Sequence, residues 1–201
     1  MIKKIIKSLL IIFLVLVIGI FYLSIFGIKT DKFNDQISNN ILKINKKIKS
    51  NFGDVNFLLN PYNFTINIKT KNPQILLEGR NLEIKSIQTT VLLKSLINNQ
   101  FSIDDLQITT KEIQVKDIIL LLRAFQNSPK LLVLNTIIKN GFVKANVNFN
   151  FDKNGNIKED YKIEGSVKKV KLNLLDQANL QNLNFNFHVD KNIYSLKEIN
   201  M

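Results

Sequence analysis

Cysteine and tryptophan are absent from this sequence, histidine occurs once, and arginine is found only at Arg80 and Arg123. Without cysteine there is no disulfide framework, no thiolate metal site and no cysteine nucleophile, and the redox compartment stays open. The lone His188 alternates into register with Asn184, Asn186 and Asp190. It therefore reads as an ordinary exposed residue on a polar strand face, with no histidine or cysteine partner for metal or nucleophilic work. Gly-rich phosphate loops, HExxH, GxSxG and kinase-type lysine contexts are missing. Asp104 and Asp105 are expected in a turn. In a strand they would point to opposite faces, so they do not read as a working carboxylate pair. Neither an enzyme nor a bound cofactor or metal is expected.

Alanine is nearly absent too, while isoleucine, asparagine and lysine are abundant, which is the bias that AT-rich codons impose. A net charge of +12 normally prompts a search for nucleic acid. Much of the lysine excess is compositional background, however, and no stretch interleaves arginine with exposed aromatics. Two arginines leave few candidates for bidentate phosphate or guanine readout, so nucleic acid is not an expected partner.

What the chain does contain is apolar sequence in three patterns. At 201 residues, 45% of them hydrophobic, it has room for a membrane segment and one folded domain. The first pattern is the uncharged run from Leu9 to Ile28. At about 1.5 Å per residue it reaches about 30 Å, the hydrocarbon thickness of a bilayer. A cleaved signal would have a shorter apolar core of about 7–15 residues and a small-x-small site, and Tyr22 to Ile28 offers none. Lys3, Lys4 and Lys7 precede the run, against Lys29 and Lys32, offset by Asp31, after it. Residues 1–8 are thus expected in the cytoplasm, 9–28 as a single-pass anchor in a bacterial inner membrane, and the bulk of the chain in the periplasm.

The second pattern covers residues 29–50. Phe33, Ile37, Ile41, Ile44 and Ile48 lie within about 80° on a helical wheel, opposite Lys43, Lys46, Lys47 and Lys49, with Asp31 as N-cap and Gly53 as stop. An amphipathic helix is expected. Its stripe either closes one end of the adjoining sheet or lies on the membrane surface.

The third pattern, over 51–201, is alternation. Phe64, Ile66 and Ile68 alternate with polar residues; Leu82 to Leu93 does so with a phase slip near Ser86; Phe101 to Ile108 and Ile113 to Val115 come next, around Asn98-Asn99. Asp117 to Gln126 reads as a short helix, capped by Asp117 and stopped by Pro129, and Leu131 to Ile138 is ambiguous. Val143, Ala145, Val147, Phe149 and Phe151 form the clearest strand. Asn154-Gly155 turns it back into a strand from Tyr161 to Leu174, then Leu183, Phe185, Phe187 and Val189 repeat the alternation, and a last strand begins near Tyr194. The expected fold is mainly β: one transmembrane helix, an amphipathic helix, then a twisted antiparallel sheet forming an open groove or half-barrel, with one further short helix. The chain stops in or just after its last strand with nothing to blunt the edge. The sheet is therefore expected to continue in an envelope-protein partner or a longer parent chain.

Asp31 to Ile37 after the anchor, Val55 to Ile66 with its central Pro61-Tyr62, and Ile84 to Ile108 with its Ser95-Leu96 turn and acidic Asp104 together resemble the N-terminal region of the AsmA-like superfamily. These are inner-membrane-anchored bacterial envelope proteins. The resemblance implies a β-groove whose apolar interior carries lipid or supports outer-membrane assembly. Val143, Ala145, Val147, Phe149, Phe151, Leu183, Phe185, Phe187 and Val189 are then the expected lipid-contacting face, with membrane lipid as partner. A structural adaptor pairing with another envelope protein by strand addition is the alternative.

Overall fold

The computed structural model describes residues 2–32, 34–35, 38–39, 42, 46, 48–77, 79–94, 103–125, 129–152, 158–174 and 178–201. Helix α1 spans Ile2–Ile25, and its Lys3–Ile25 stretch is long and apolar enough to cross a membrane, with none of its most apolar window buried in the protein. Apolar residues surround it on every side, so it has no stripe to lay on a core. The anchor, expected over 9–28, ends three residues earlier as a helix and begins seven residues sooner. Gly27 ends it at φ +67°, and Ile28–Thr30 already forms strand β1. A side chain at Gly27 would put its Cβ 2.4 Å from the Phe57 carbonyl oxygen. Gly27→Ala should therefore lower the urea midpoint of the detergent-solubilised chain by the equivalent of about 1–3 kcal/mol, through strain and the forced shift of Phe57. An unchanged midpoint would mean that the helix does not dock on the sheet at this point.

The amphipathic helix expected over 29–50 falls partly outside the described residues, which leave out Phe33, Ile37, Ile41, Ile44, Lys43 and Lys47. The described Asn34, Asp35, Ser38, Asn39 and Leu42 are helical, and Lys46 lies in a turn. Both ends are corrected: residues 28–30 are strand, and Ile48, expected at the end of the stripe, opens strand β2, Ile48–Asn51, where it is buried. The helical residues are tied to that strand. Ser38 Oγ donates to the Ser50 carbonyl at 2.6 Å, and Asn34 Oδ1 accepts from the Phe52 amide at 2.8 Å.

The remaining strands are β3 Val55–Asn60, β4 Thr65–Lys71, β5 Gln74–Leu77, β6 Arg80–Leu92, β7 Ile103–Thr110, β8 Ile113–Gln114, β9 Ile138–Asn150, β10 Lys162–Leu174, β11 Ala178–Val189 and β12 Tyr194–Asn200. All twelve belong to one sheet, in the order β1-β3-β4-β6-β7-β9-β10-β11-β12, with β2 and β5 continuing beside β6 and β8 beside β9. Every pairing described is antiparallel. The sheet is open, with β1 and β12 at its two edges. Residues 153–157, which hold Asn154-Gly155, and 95–102, which hold Asn98-Asn99, lie outside the described residues. Ile163 opposite Val147 shows the hairpin of β9 and β10 directly.

Three breaks in its strands lie close together in the sheet. Phe52-Gly53-Asp54 separates β2 from β3, Asn72-Pro73 separates β4 from β5, and Lys111-Glu112 separates β7 from β8. The last two breaks bond to one stretch of β6: the Asn72 amide donates to the Lys85 carbonyl and the Lys111 amide to the Glu83 carbonyl. The first joins them through Thr70, two residues before Asn72: the Thr70 hydroxyl donates to the Phe52 carbonyl. β6 itself runs through with a register shift between Ile84 and Ser86, at the expected phase slip. Such bulges raise local twist and bend a sheet. Beyond these breaks, Ile48, Leu77 and Leu82 form a small second apolar cluster.

Two helices join β8 to β9: α2, Val115–Phe125, and α3, Pro129–Ile137. Asp117 is in the first turn of α2 rather than at its cap, and Arg80 reaches its carboxylate at 2.9 Å. Pro129, expected only to stop the preceding helix, opens α3, where its missing N–H and fixed φ fit the first helical position.

Candidate functional site

Register decides which side chains share a face, because residues directly opposite across an antiparallel pair point the same way. One row reads Ile28, Phe57, Ile68, Thr89, Leu106 and Phe149 from β1 to β9. The next reads Thr30, Val55, Thr70, Ile87, Ile108, Val147, Ile163, Val189 and Tyr194, from one edge of the sheet to the other. On the opposite face the corresponding row is Lys29, Asn56, Lys69, Gln88, Gln107, Asn148 and Lys162. The chain thus carries one apolar face of up to nine strands, backed by a hydrated one. Threonine fits the apolar rows because its hydroxyl finds a partner: Thr70 Oγ1 donates to the Phe52 carbonyl and Thr89 Oγ1 to the Asp105 carbonyl, each at 2.6 Å.

The nine residues singled out from the sequence meet two environments. Val143 and Ala145, each 7% exposed, cluster with Val167 and Val170, and Val115 and Ile118 of α2 pack against them together with Leu183, Phe185 and Phe187. Leu120 of the same helix reaches the second cluster at Ile48, Leu77 and Leu82. Helix α2 therefore covers the end of the face farther from α1. Val147, Phe149 and Val189 lie on rows nearer α1 and are half-buried, as are Phe57, Ile66, Ile68, Leu106 and Ile108. Val91 is an exception on that side, being fully enclosed. Phe151 sits just past β9, its amide donating to the Asp104 carbonyl at 2.8 Å.

Phe57, Leu59, Leu106, Ile108 and Ile163 belong to the same surface and were missed from the expected face. Their alternation is visible in the sequence, but the register that joins them is not. Phe64, expected to start the β4 alternation, instead lies in the turn before it at φ +51° and is exposed. Asp104 and Asp105, expected in a turn, lie within β7 on opposite faces.

On the polar face His188 is half-buried rather than freely exposed. Its Nε2 lies 3.3 Å from Asp190 and its Nδ1 3.9 Å from Glu164. Asp190 Oδ1 accepts the Asn192 and Ile193 amides at 2.9 and 2.8 Å, which shapes the turn into β12. Those two amides, more than His188, hold its carboxyl below the usual carboxylate range. Among the described residues, no group of three or more His, Cys, Asp or Glu is placed to hold a metal ion. No family model, no curated protein and no solved structure matches the chain.

Proposed function

We propose that the chain is an inner-membrane-anchored envelope protein that assists lipid transport or outer-membrane assembly, with acyl chains lying along its apolar groove. The observation that carries this reading is the apolar face that begins at Ile28, three residues after α1, and continues row by row to β12 while α2 covers only its far end. A soluble domain normally buries such a face beneath a second layer. Here the rows around Phe149 are left half-buried in a single-layer sheet, and an apolar surface of this size calls for an apolar ligand. The lysines before α1 favour a cytoplasmic N-terminus and a periplasmic body. The resemblance to the AsmA-like superfamily supports the same assignment.

A photo-crosslinking residue at Phe149 should yield phospholipid adducts in cells, and one at Asn148, on the polar face, should not. Equal labelling at both positions would refute the groove. Protein-only adducts at Phe149 would favour the second reading, an adaptor that pairs with a partner by strand addition. That reading is favoured by β12, an edge strand on which Tyr194, Leu196 and Ile199 are all exposed.

A further inference from the structure

We infer that the tip of the β3–β4 hairpin is a second membrane contact, with Tyr62 and Phe64 seated at the headgroup level beside α1. The inference rests on reading α1 as a membrane anchor, and it adds what holds the groove against the bilayer.

Strand β1 starts almost directly after α1 and pairs antiparallel with β3, so β3 runs back toward the helix. Phe57 is level with Ile28, and Asn60 lies three residues farther on. At about 3.3 Å per residue, β3 carries the tip about 10 Å past Ile28, roughly two helical turns back along the anchor. Helix α1 does contact β3. Within two turns back from Ile28, α1 and its end present Tyr22 and Phe26, both exposed, with ring centroids 5.2 Å apart. Tyrosine is enriched at the membrane–water boundary of spanning helices, which suits Tyr22.

The tip places two more rings at that level. Tyr62 is 94% and Phe64 71% exposed. Rings so exposed gain little for folding in water. The turn also holds them there at a cost, since a bulky phenylalanine in the left-handed region at φ +51° is strained by about 1–3 kcal/mol. Its surroundings enforce the geometry. Asn60 Oδ1 accepts the Tyr62 amide at 3.1 Å and the Asn63 amide at 3.3 Å, and the Phe64 carbonyl accepts the Leu93 amide at 2.9 Å. An asparagine at position 64 would adopt this backbone with less strain, so folding alone does not account for phenylalanine there. Insertion of the ring into the interface does.

The chain has no cysteine, so single thiols can be labelled without competition. Asn63→Cys leaves both rings in place and puts an environment-sensitive fluorophore between them. Phe13→Cys in α1 and Gln181→Cys at the far end of β11 serve as references. The 201-residue chain is reconstituted into phosphatidylethanolamine–phosphatidylglycerol vesicles containing acyl-brominated phosphatidylcholine. Emission should be quenched at positions 13 and 63 and unaffected at 181. Adding Phe64→Asn, which suits the turn, should relieve quenching at 63 while leaving that at 13 intact. Quenching at 13 alone would overturn the tip contact and leave the anchor standing, and quenching at all three positions would replace the tip with a domain lying flat on the bilayer. Failure at 13 would overturn the anchor and the tip together.

Discussion

Gly165→Leu should unfold the sheet or cost it about 3 kcal/mol or more, a large share of the roughly 5–15 kcal/mol that stabilises a domain. Gly165 lies in β10 between Ala145 of β9 and Phe187 of β11. A Cβ there would sit 2.1 Å from the Lys144 carbonyl oxygen, 2.9 Å from Cζ of Phe187 and 3.0 Å from Cα of Ala145. The first and last of these are backbone atoms in a paired strand, so relief requires the ladder itself to move. Phe187 packs against the cluster of Val143, Ala145, Val167 and Val170, so pushing its ring aside also opens that core. Circular dichroism through a urea titration of the detergent-solubilised chain would report the loss, with Gly165→Ala shifted in the same direction by less. A wild-type midpoint for the leucine variant would mean that β9, β10 and β11 do not pair in this register.

Phe149→Asp should remove most of the phospholipid that co-purifies with the protein while leaving the sheet folded, whereas Val143→Asp should unfold it. The pair of variants separates the two halves of the apolar face. Val143 lies in the cluster against which Val115 and Ile118 of α2 pack, where an unpaired carboxylate costs on the order of 3–5 kcal/mol. Phe149 is half-buried opposite Leu106, where a carboxylate can remain hydrated and the folding loss is limited to the ring's partial burial, about 1–2 kcal/mol. Acyl chains running along the row of Phe57, Ile68, Leu106 and Phe149 would meet a fixed charge in the variant. Mass spectrometry of extracted lipid, set beside the unfolding midpoint, distinguishes the outcomes. A folded Phe149→Asp protein with undiminished lipid would remove the groove as the binding surface.

Some of this architecture is legible locally and some is not. The β9–β10 hairpin is legible because Val143, Ala145 and Val147 alternate with Lys144, Asn146 and Asn148 without interruption, and a period of two belongs to an extended strand with one hydrated face. The slip near Ser86 is legible for the same reason, since a bulge must shift the apolar phase. Ile48 misleads because a single isoleucine suits a helical stripe and a strand equally, and its pairing with Leu77 settles the matter only in three dimensions. Leu131 to Ile138 is ambiguous because its apolar residues keep neither period. All of it but Ile138 falls in α3, which buries none of its residues.

Two properties come from the linear chain without any tertiary information: a helix built on a long uncharged apolar run leads it, and most of the remainder is strand. Both reside in runs of consecutive residues, namely the absence of charge over a bilayer's length and the side-chain alternation of an extended backbone. Three-dimensional contacts were needed to establish that β1 begins directly after the anchor, that the strand breaks align beside β6, and that Phe64 is held in a left-handed turn. They were needed as well to show that α2 covers Val143 and Ala145 but leaves Phe149 half-buried. Each of these depends on hydrogen bonds or contacts between residues far apart in the chain. Alternation tells which side chains share a face of one strand, whereas cross-strand register and the placement of a covering helix set which part of that face is sealed.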